Sequence, residues 1–225
     1  MPVLETIEAE TGPSPTATII VLHGLGADGN DFVPIARELS LGAVGPVRFV
    51  FPHAPVIPVT INNGHAMRAW YDILGADLVR REDEAGLRRS LQGVGQLIVR
   101  ERERGIASQR IVLAGFSQGC AMALLTGIRH AERLAGIVGL SGYLPLAAMA
   151  AAERDVANAE TPIFLAHGQH DNVVPVARGR DSRDVLKALG HAVEWHEYPM
   201  AHSVCMEEIA ELNRWLLKVL APAGT

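Results

Sequence analysis

Apolar residues follow two rhythms along this chain of 225 residues. Short unbroken runs, "TIIVL" at 18–22 and "VRFVFP" at 47–52, have the β-branched and aromatic content of strands buried on both faces. Between them Phe32, Ile35, Ala36 and Leu39 recur at helical spacing. From Glu84 to Gly105, Leu87, Leu91, Val94 and Ile98 stand at i, i+4, i+7 and i+11, and "RERERG" adds a charged last turn with a glycine stop. The alternation continues with strands predicted at 110–116, 135–142, 161–168 and 193–199, and helices at 118–134, 176–190 and 203–220. Strands interleaved with helices imply right-handed crossovers, hence an α/β fold with a mostly parallel twisted sheet and helices on both faces. No linker or repeat interrupts the pattern, so residues 1–225 read as one domain.

Two stretches resist this reading. Residues 53–83 lack clear periodicity, and irregular segments of that length usually carry function or disorder. Met67, Trp70, Tyr71 and Ile73 within it favour an ordered lining. Residues 134–152 carry no charge over a length close to a membrane span. Ser141, Gly142 and Pro145 break that run into a strand, a loop and an alanine-rich helix start.

Composition narrows the classes. A hydrophobic fraction of 48% and a charged fraction of 20% exclude a disordered or fibrous chain, and a net charge of −5 gives no footprint for nucleic acid. The start "MPVLETIEAE" has neither the basic nor the apolar region of a secretory signal, which points to the cytoplasm and away from integral membrane association. Cys120 and Cys205 are too few for a disulfide framework and read as small core residues.

The chemistry concentrates around "GFSQG". Ser117 lies between Gly115 and Gly119, after an apolar strand and before a helix-forming run, which is the context of the G-x-S-x-G nucleophile elbow. Chance produces this five-residue pattern on the order of 0.08 times per chain of this composition, so its partners decide its meaning. A serine hydroxyl needs a histidine base, and the histidine needs an orienting carboxylate. His202 follows the strand at 193–199, and Asp171 follows the strand at 161–168; both fall at the carboxyl edge of a parallel sheet, where reactive groups gather. The order Ser117, Asp171, His202 is that of the α/β-hydrolase triad.

An oxyanion needs two donors. The backbone N–H of Gln118 and that of Leu25, in "HGLGADGND", are placed to supply them, with His23 organising the loop. That loop lacks a Walker lysine, and His167 and His170 beside Asp171 lack an outlying partner cluster, so neither a nucleotide cofactor nor a metal is expected. His130, His191 and His196 read as surface or satisfied positions, and Asp31 as a helix-opening carboxylate.

With these residues in place, "VLHGLGADGNDF", "FPHAPVIPVTINNGHAMRAWYDI", "GFSQGCAMAL", "LSGYLP", "HGQHDNVVP" and "AHSV" resemble the small carboxylesterases and acyl-protein thioesterases, the phospholipase/carboxylesterase group of α/β-hydrolases. The matches run in order over essentially the whole chain and leave no room for a separate cap domain. The resemblance implies Ser117 as nucleophile, His202 as base and acid, Asp171 as its partner, and Leu25 and Gln118 as oxyanion donors. It sets Trp70, Tyr71 and Asp72 beside an acyl groove, Asp72 having an equal claim to a structural role. Ile57, Met67, Trp70 and Leu144 are expected to line an apolar acyl site. The resulting expectation is a cofactor-free serine carboxylesterase that hydrolyses short to medium carboxylic esters through an acyl-enzyme. An acyl thioesterase or lysophospholipase using the same triad is the alternative, and a catalytically inactive binding protein on a hydrolase fold is the alternative of another class. A small-molecule ester is the expected partner, and a homodimer is left open.

Overall fold

A computed structural model describes residues 4–75 and 82–221. Its strands are β1 (Thr6–Glu10), β2 (Ala17–Leu22), β3 (Val47–Pro52), β4 (Val56–Val59), β5 (His65–Arg68), β6 (Ile111–Phe116), β7 (Gly136–Leu140), β8 (Ile163–Gly168) and β9 (Val193–Tyr198). Its helices are α1 (Val33–Glu38), α2 (Glu84–Glu103), α3 (Gln118–Gly127), α4 (Ala150–Glu153), α5 (Val176–Ala188) and α6 (Met206–Val219). Seven strands form one sheet in the order β1-β3-β2-β6-β7-β8-β9; β1 runs antiparallel to β3 and every other neighbour is parallel. This is the expected α/β-hydrolase architecture, without a cap domain among the described residues.

Alternating side chains divide the core. Ile20, Leu22, Leu113, Ile137 and Leu165 face a layer that contains Leu87, Val94 and Ile98 of α2 and much of α3. Ile19, Phe49, Val112, Val138 and Phe164 face the other layer, under Leu212, Trp215 and Leu216 of α6. The inner strands β2, β3, β6, β7 and β8 therefore carry apolar residues on both faces, which is why their runs lack a regular polar beat. Burying one such side chain contributes about 1.5–3 kcal/mol.

β1, the hairpin within 53–83 and the end of α3 depart from the sequence reading. β1 alternates threonine and glutamate with apolar residues, a half-exposed edge pattern too short to stand out in the sequence. Inside 53–83 lies a two-stranded hairpin, β4 with β5, pairing Ile57 with Met67 and Val59 with His65; Pro55 and Pro58 disguise it. The helix expected to reach residue 134 stops at Gly127, because Asn158 captures the chain beyond it. The Asn158 amide donates to the carbonyls of His130 (2.7 Å) and Glu132 (2.9 Å), and its oxygen accepts from Leu134 N–H (2.9 Å). Asp83, just before the periodic run, caps α2 by accepting from Gly86 N–H at 2.9 Å. Asp28 caps the first turn after β2 by accepting from Asn30 N–H at 2.7 Å, and Asp31 is the first-turn carboxylate there.

Residues 134–152 do break into β7, a loop and α4, and among the described residues no helix is long and apolar enough to cross a membrane. Cys120 is a core residue, whereas Cys205 is partly exposed at the start of α6. His191 is buried with neither ring nitrogen bonded among the described residues, so burial holds it neutral rather than satisfied.

Two buried carboxylates yield tests of stability. Glu101, fully buried on α2, accepts from Thr18 Oγ1, Arg48 Nη1 and Arg104 Nη1, each at 2.9 Å, near the amino ends of β2 and β3. Glu101→Ala leaves Arg48 Nη1 and Arg104 Nη1 without their buried acceptor, though Arg48 Nε keeps Glu10 (2.9 Å), and is expected to lower unfolding free energy by about 3 kcal/mol in urea titrations. Glu208, fully buried on α6 beside Tyr198, Cys205 and Glu211, has its carboxyl pushed up by burial from 4.5 to about 8. Below pH 4.5 it is protonated in both states; between 4.5 and 8 only the unfolded chain ionises, so this group withdraws stability as pH rises. Glu208→Gln is therefore expected to exceed the parent in stability by a few kcal/mol above pH 8, the difference vanishing near pH 4.5.

Candidate active site

At the carboxyl end of β6 the chain must reverse from strand into helix within one residue. Ser117 absorbs the reversal with φ 55° and ψ −117°, outside the comfortable regions for a side-chain-bearing residue and worth about 1–3 kcal/mol of strain. A Cβ on Gly115 would overlap the Gly119 carbonyl, and one on Gly119 would overlap that of Leu22 at the end of β2. The two glycines thus answer a close approach of three backbone segments. The turn leaves Ser117 partly exposed, with its N–H held by the Leu140 carbonyl at 2.9 Å.

The loops after β8 and β9 are laced together beside it. Gln169 N–H donates to Tyr198 O (2.8 Å) and His170 N–H to Met200 O (3.0 Å), while Gly168 leaves no room for a Cβ against the Ala201 carbonyl. This lacing sets His202 Nδ1 2.7 Å from Asp171 Oδ2. The other oxygen of Asp171 accepts from Val173 N–H (2.9 Å) and Val174 N–H (2.8 Å), and the carboxylate side chain is fully buried. With a carboxylate facing Nδ1, that nitrogen carries the proton and Nε2 keeps its lone pair. The His202 ring lies 4.7 Å, centroid to centroid, from Phe116, the neighbour of Ser117. Among the described residues the Ser117 hydroxyl makes no hydrogen bond, and such contacts often tighten only when substrate is bound.

His167 supports the same loop. It donates from Nε2 to Val174 O at 2.8 Å and approaches Asp171 Oδ2 at 3.4 Å, and burial keeps it neutral. His170 is exposed, and among the described residues no metal-binding cluster of His, Cys, Asp or Glu occurs.

The loop after β2 lies across the turn. His23 accepts from Ala54 N–H at Nε2 (3.0 Å), so Nδ1 holds its proton and donates to Gly24 O (2.7 Å); burial depresses its basicity and it serves as a brace. Among the described residues, neither Leu25 N–H nor Gln118 N–H has a hydrogen-bond acceptor, and both residues line one cleft with Ser117. The Gln118 side chain has a task the sequence did not disclose. Its amide accepts from Trp70 N–H (2.8 Å) and donates to Tyr71 O (2.7 Å), while Trp70 Nε1 donates to His23 O (2.8 Å). Elbow, glycine loop and the 70–71 segment are joined by one buried set of bonds.

That cleft encloses about 490 Å³, bounded by Leu25, Ile61, Ile73 and Val174 together with the polar groups of Tyr71, Tyr143 and Arg178. The four residues expected to form an acyl site lie elsewhere. Trp70 and Leu144 are 1% and 4% exposed and belong to the core, Trp70 because its indole N–H is spent on the loop. Ile57 and Met67 pair with one another on the hairpin, outside the cleft lining. Asp72 accepts from Thr60 N–H (2.7 Å) and Thr60 Oγ1 (2.5 Å), tying the hairpin down. Tyr143 and Arg178 were missed because each follows a strand by a loop, and only proximity to the Asp171 loop in sequence hinted at Arg178.

A hydroxyl on a strained turn, an imidazole aimed by a buried carboxylate and two free N–H donors are the parts that acyl transfer requires. The phospholipase/carboxylesterase family model matches residues 4–220. The chain is 42% identical to acyl-protein thioesterase 1 of Gibberella zeae, covering 92% of each chain, and 43% identical to acyl-protein thioesterase 1 of Mycosarcoma maydis, covering 98% and 99%. Its fold is similar to the crystal structure of Zea mays acyl-protein thioesterase 2, with a TM-score of 0.81 at 29% identity over 97% of this chain and 100% of that one. The chain belongs to the phospholipase/carboxylesterase family and is a hydrolase of carboxylic ester bonds on the α/β-hydrolase fold.

Proposed function

We propose that this hydrolase cleaves carboxylic esters, and acyl thioesters by the same steps, through an acyl-enzyme on Ser117. The observation that carries the reading is the 2.7 Å His202–Asp171 pair held at the same sheet edge as the strained Ser117 turn. His202 Nε2 takes the Ser117 proton as Oγ attacks the acyl carbonyl. Leu25 and Gln118 N–H groups stabilise the oxyanion, and His202 returns the proton to the departing alcohol or thiol. Water then enters by the same route and releases the acid. A cleft of about 490 Å³ is in the size range of small-molecule sites and suits a short to medium acyl chain.

Thioester cleavage enters on the names of the fungal relatives, both acyl-protein thioesterase 1. The oxyanion and the base are common to both reactions, so ethyl hexanoate and its S-ethyl thioester are expected to differ by less than about tenfold in kcat/KM. Turnover of the thioester alone would replace the esterase reading with a dedicated thioesterase.

Ser117→Ala is expected to abolish turnover of both and covalent labelling by a fluorophosphonate. Asp171→Asn retains an oxygen for Val173 and Val174 N–H but places an amide against His202 Nδ1, reversing the tautomer. It is expected to lower kcat by about 10⁴ with the fold preserved by circular dichroism. Near-parental rates in either variant would overturn the triad assignment.

A further inference from the structure

We infer that the cleft selects substrates carrying an anionic group at a distance from the reacting carbonyl, and that Arg178 reads that group. The inference rests on the hydrolase reading above and names the substrate class for the same cleft.

Arg178 stands in the first turn of α5, the turn where a helix macrodipole disfavours a cation. It lines the cleft that contains Ser117, yet among the described residues no carboxylate or carbonyl bonds its guanidinium, in contrast with the neighbouring Arg180, which forks onto Glu197 at 2.8 and 2.7 Å. The guanidinium instead lies 5.6 Å from the centre of the Tyr143 ring. The backbone that carries it is held from behind: Ser182 Oγ donates to the Arg178 carbonyl (2.7 Å) and accepts from Leu144 N–H (2.8 Å), which registers α5 against the Tyr143 loop. Beside it the hydroxyls of Tyr143 and Tyr71 are 3.0 Å apart, and burial keeps both protonated. Of two such hydroxyls one donates to the other, so one O–H remains to be offered. Glu82 is the carboxylate that feels the Arg178 charge, but no hydrogen bond joins the two: its oxygens accept from Leu146 N–H (3.0 and 3.2 Å), and burial raises its pKa.

The cleft thus combines apolar walls from Leu25, Ile61, Ile73 and Val174 with a cation that has no hydrogen-bonded carboxylate among the described residues and a spare phenolic donor. A purely apolar acyl chain would leave that cation without a partner while displacing its water. A carboxylate or similar anion would accept charge-assisted hydrogen bonds from the guanidinium. The anion is carried either by the acyl chain or by the leaving alcohol.

Two matched pairs distinguish these sources when hydrolysis is followed by proton release at pH 8. Monoethyl adipate against ethyl hexanoate places the carboxylate on the acyl chain; 3-butanoyloxypropanoate against propyl butanoate places it on the alcohol. In one pair, the ratio of kcat/KM for the anionic ester to that for its neutral partner is expected to fall at least about tenfold in Arg178→Met, the factor one charge-assisted bond supplies. Arg178→Lys is expected to restore part of it, and added salt to lower the ratio in the parent but not in Arg178→Met. Each ratio is internal to one protein, so partial loss of folded enzyme does not alter it. Fluorophosphonate labelling of Ser117 with ratios unchanged in both pairs overturns the role of Arg178 alone. Absence of both labelling and hydrolysis overturns the hydrolase reading, and this inference with it.

Discussion

Three stretches of backbone converge behind Ser117 more closely than a methyl group permits: the end of β6, the first turn of α3 and the end of β2. Gly115 and Gly119 meet neighbouring carbonyls where a Cβ would stand, so the turn exists only because these two positions carry no side chain. The same crowding forces Ser117 to φ 55°, a conformation that the sheet on one side and the helix on the other hold in place. Strain of this kind persists when the surroundings over-determine it, and here both flanking elements are buried except at the half-buried Phe116.

From this turn the rest of the site is placed by hydrogen bonds between segments distant in sequence. Gln118 grips the backbone of Trp70 and Tyr71, Trp70 grips His23, and His23 grips Ala54 and Gly24. A glycine-rich loop that would wander alone is fixed from three directions, which leaves the Leu25 N–H facing the cleft at no further ordering cost. On the opposite side, the β8 and β9 loops bond to one another, so Asp171 and His202 are held as a pair. Preorganised dipoles of this sort are where ester hydrolases obtain most of their transition-state stabilisation.

Charge is treated differently at the two ends of the sheet. Near the amino ends of β2 and β3, Glu101 is surrounded by three arginines and a threonine, and both of its carboxylate oxygens are bonded within that cluster. At the carboxyl end, Asp171 is satisfied only by its loop and two histidines, and Arg178 stands in the cleft with an aromatic ring as its neighbour. The Glu101 cluster serves the fold, whereas Arg178 faces the cavity where a ligand can complete it.

The sequence by itself determined the alternation of strands and helices, the parallel sheet and the carboxyl-edge placement of Ser117, Asp171 and His202. Those features follow from periodicity and chain order, which are local properties. Only the tertiary structure decided that Trp70 and Leu144 are core residues, that the helix beginning at Gln118 ends at Gly127, and that Tyr143 and Arg178 border the cleft. Each of these depends on which residue from elsewhere in the chain arrives opposite: His23 O for the Trp70 indole, Asn158 for the carbonyls after α3, α5 for the Tyr143 loop. An aromatic or apolar residue near a catalytic motif can equally well line a cavity or hold its wall, and the hydrogen-bond partner that settles the choice is not adjacent in sequence.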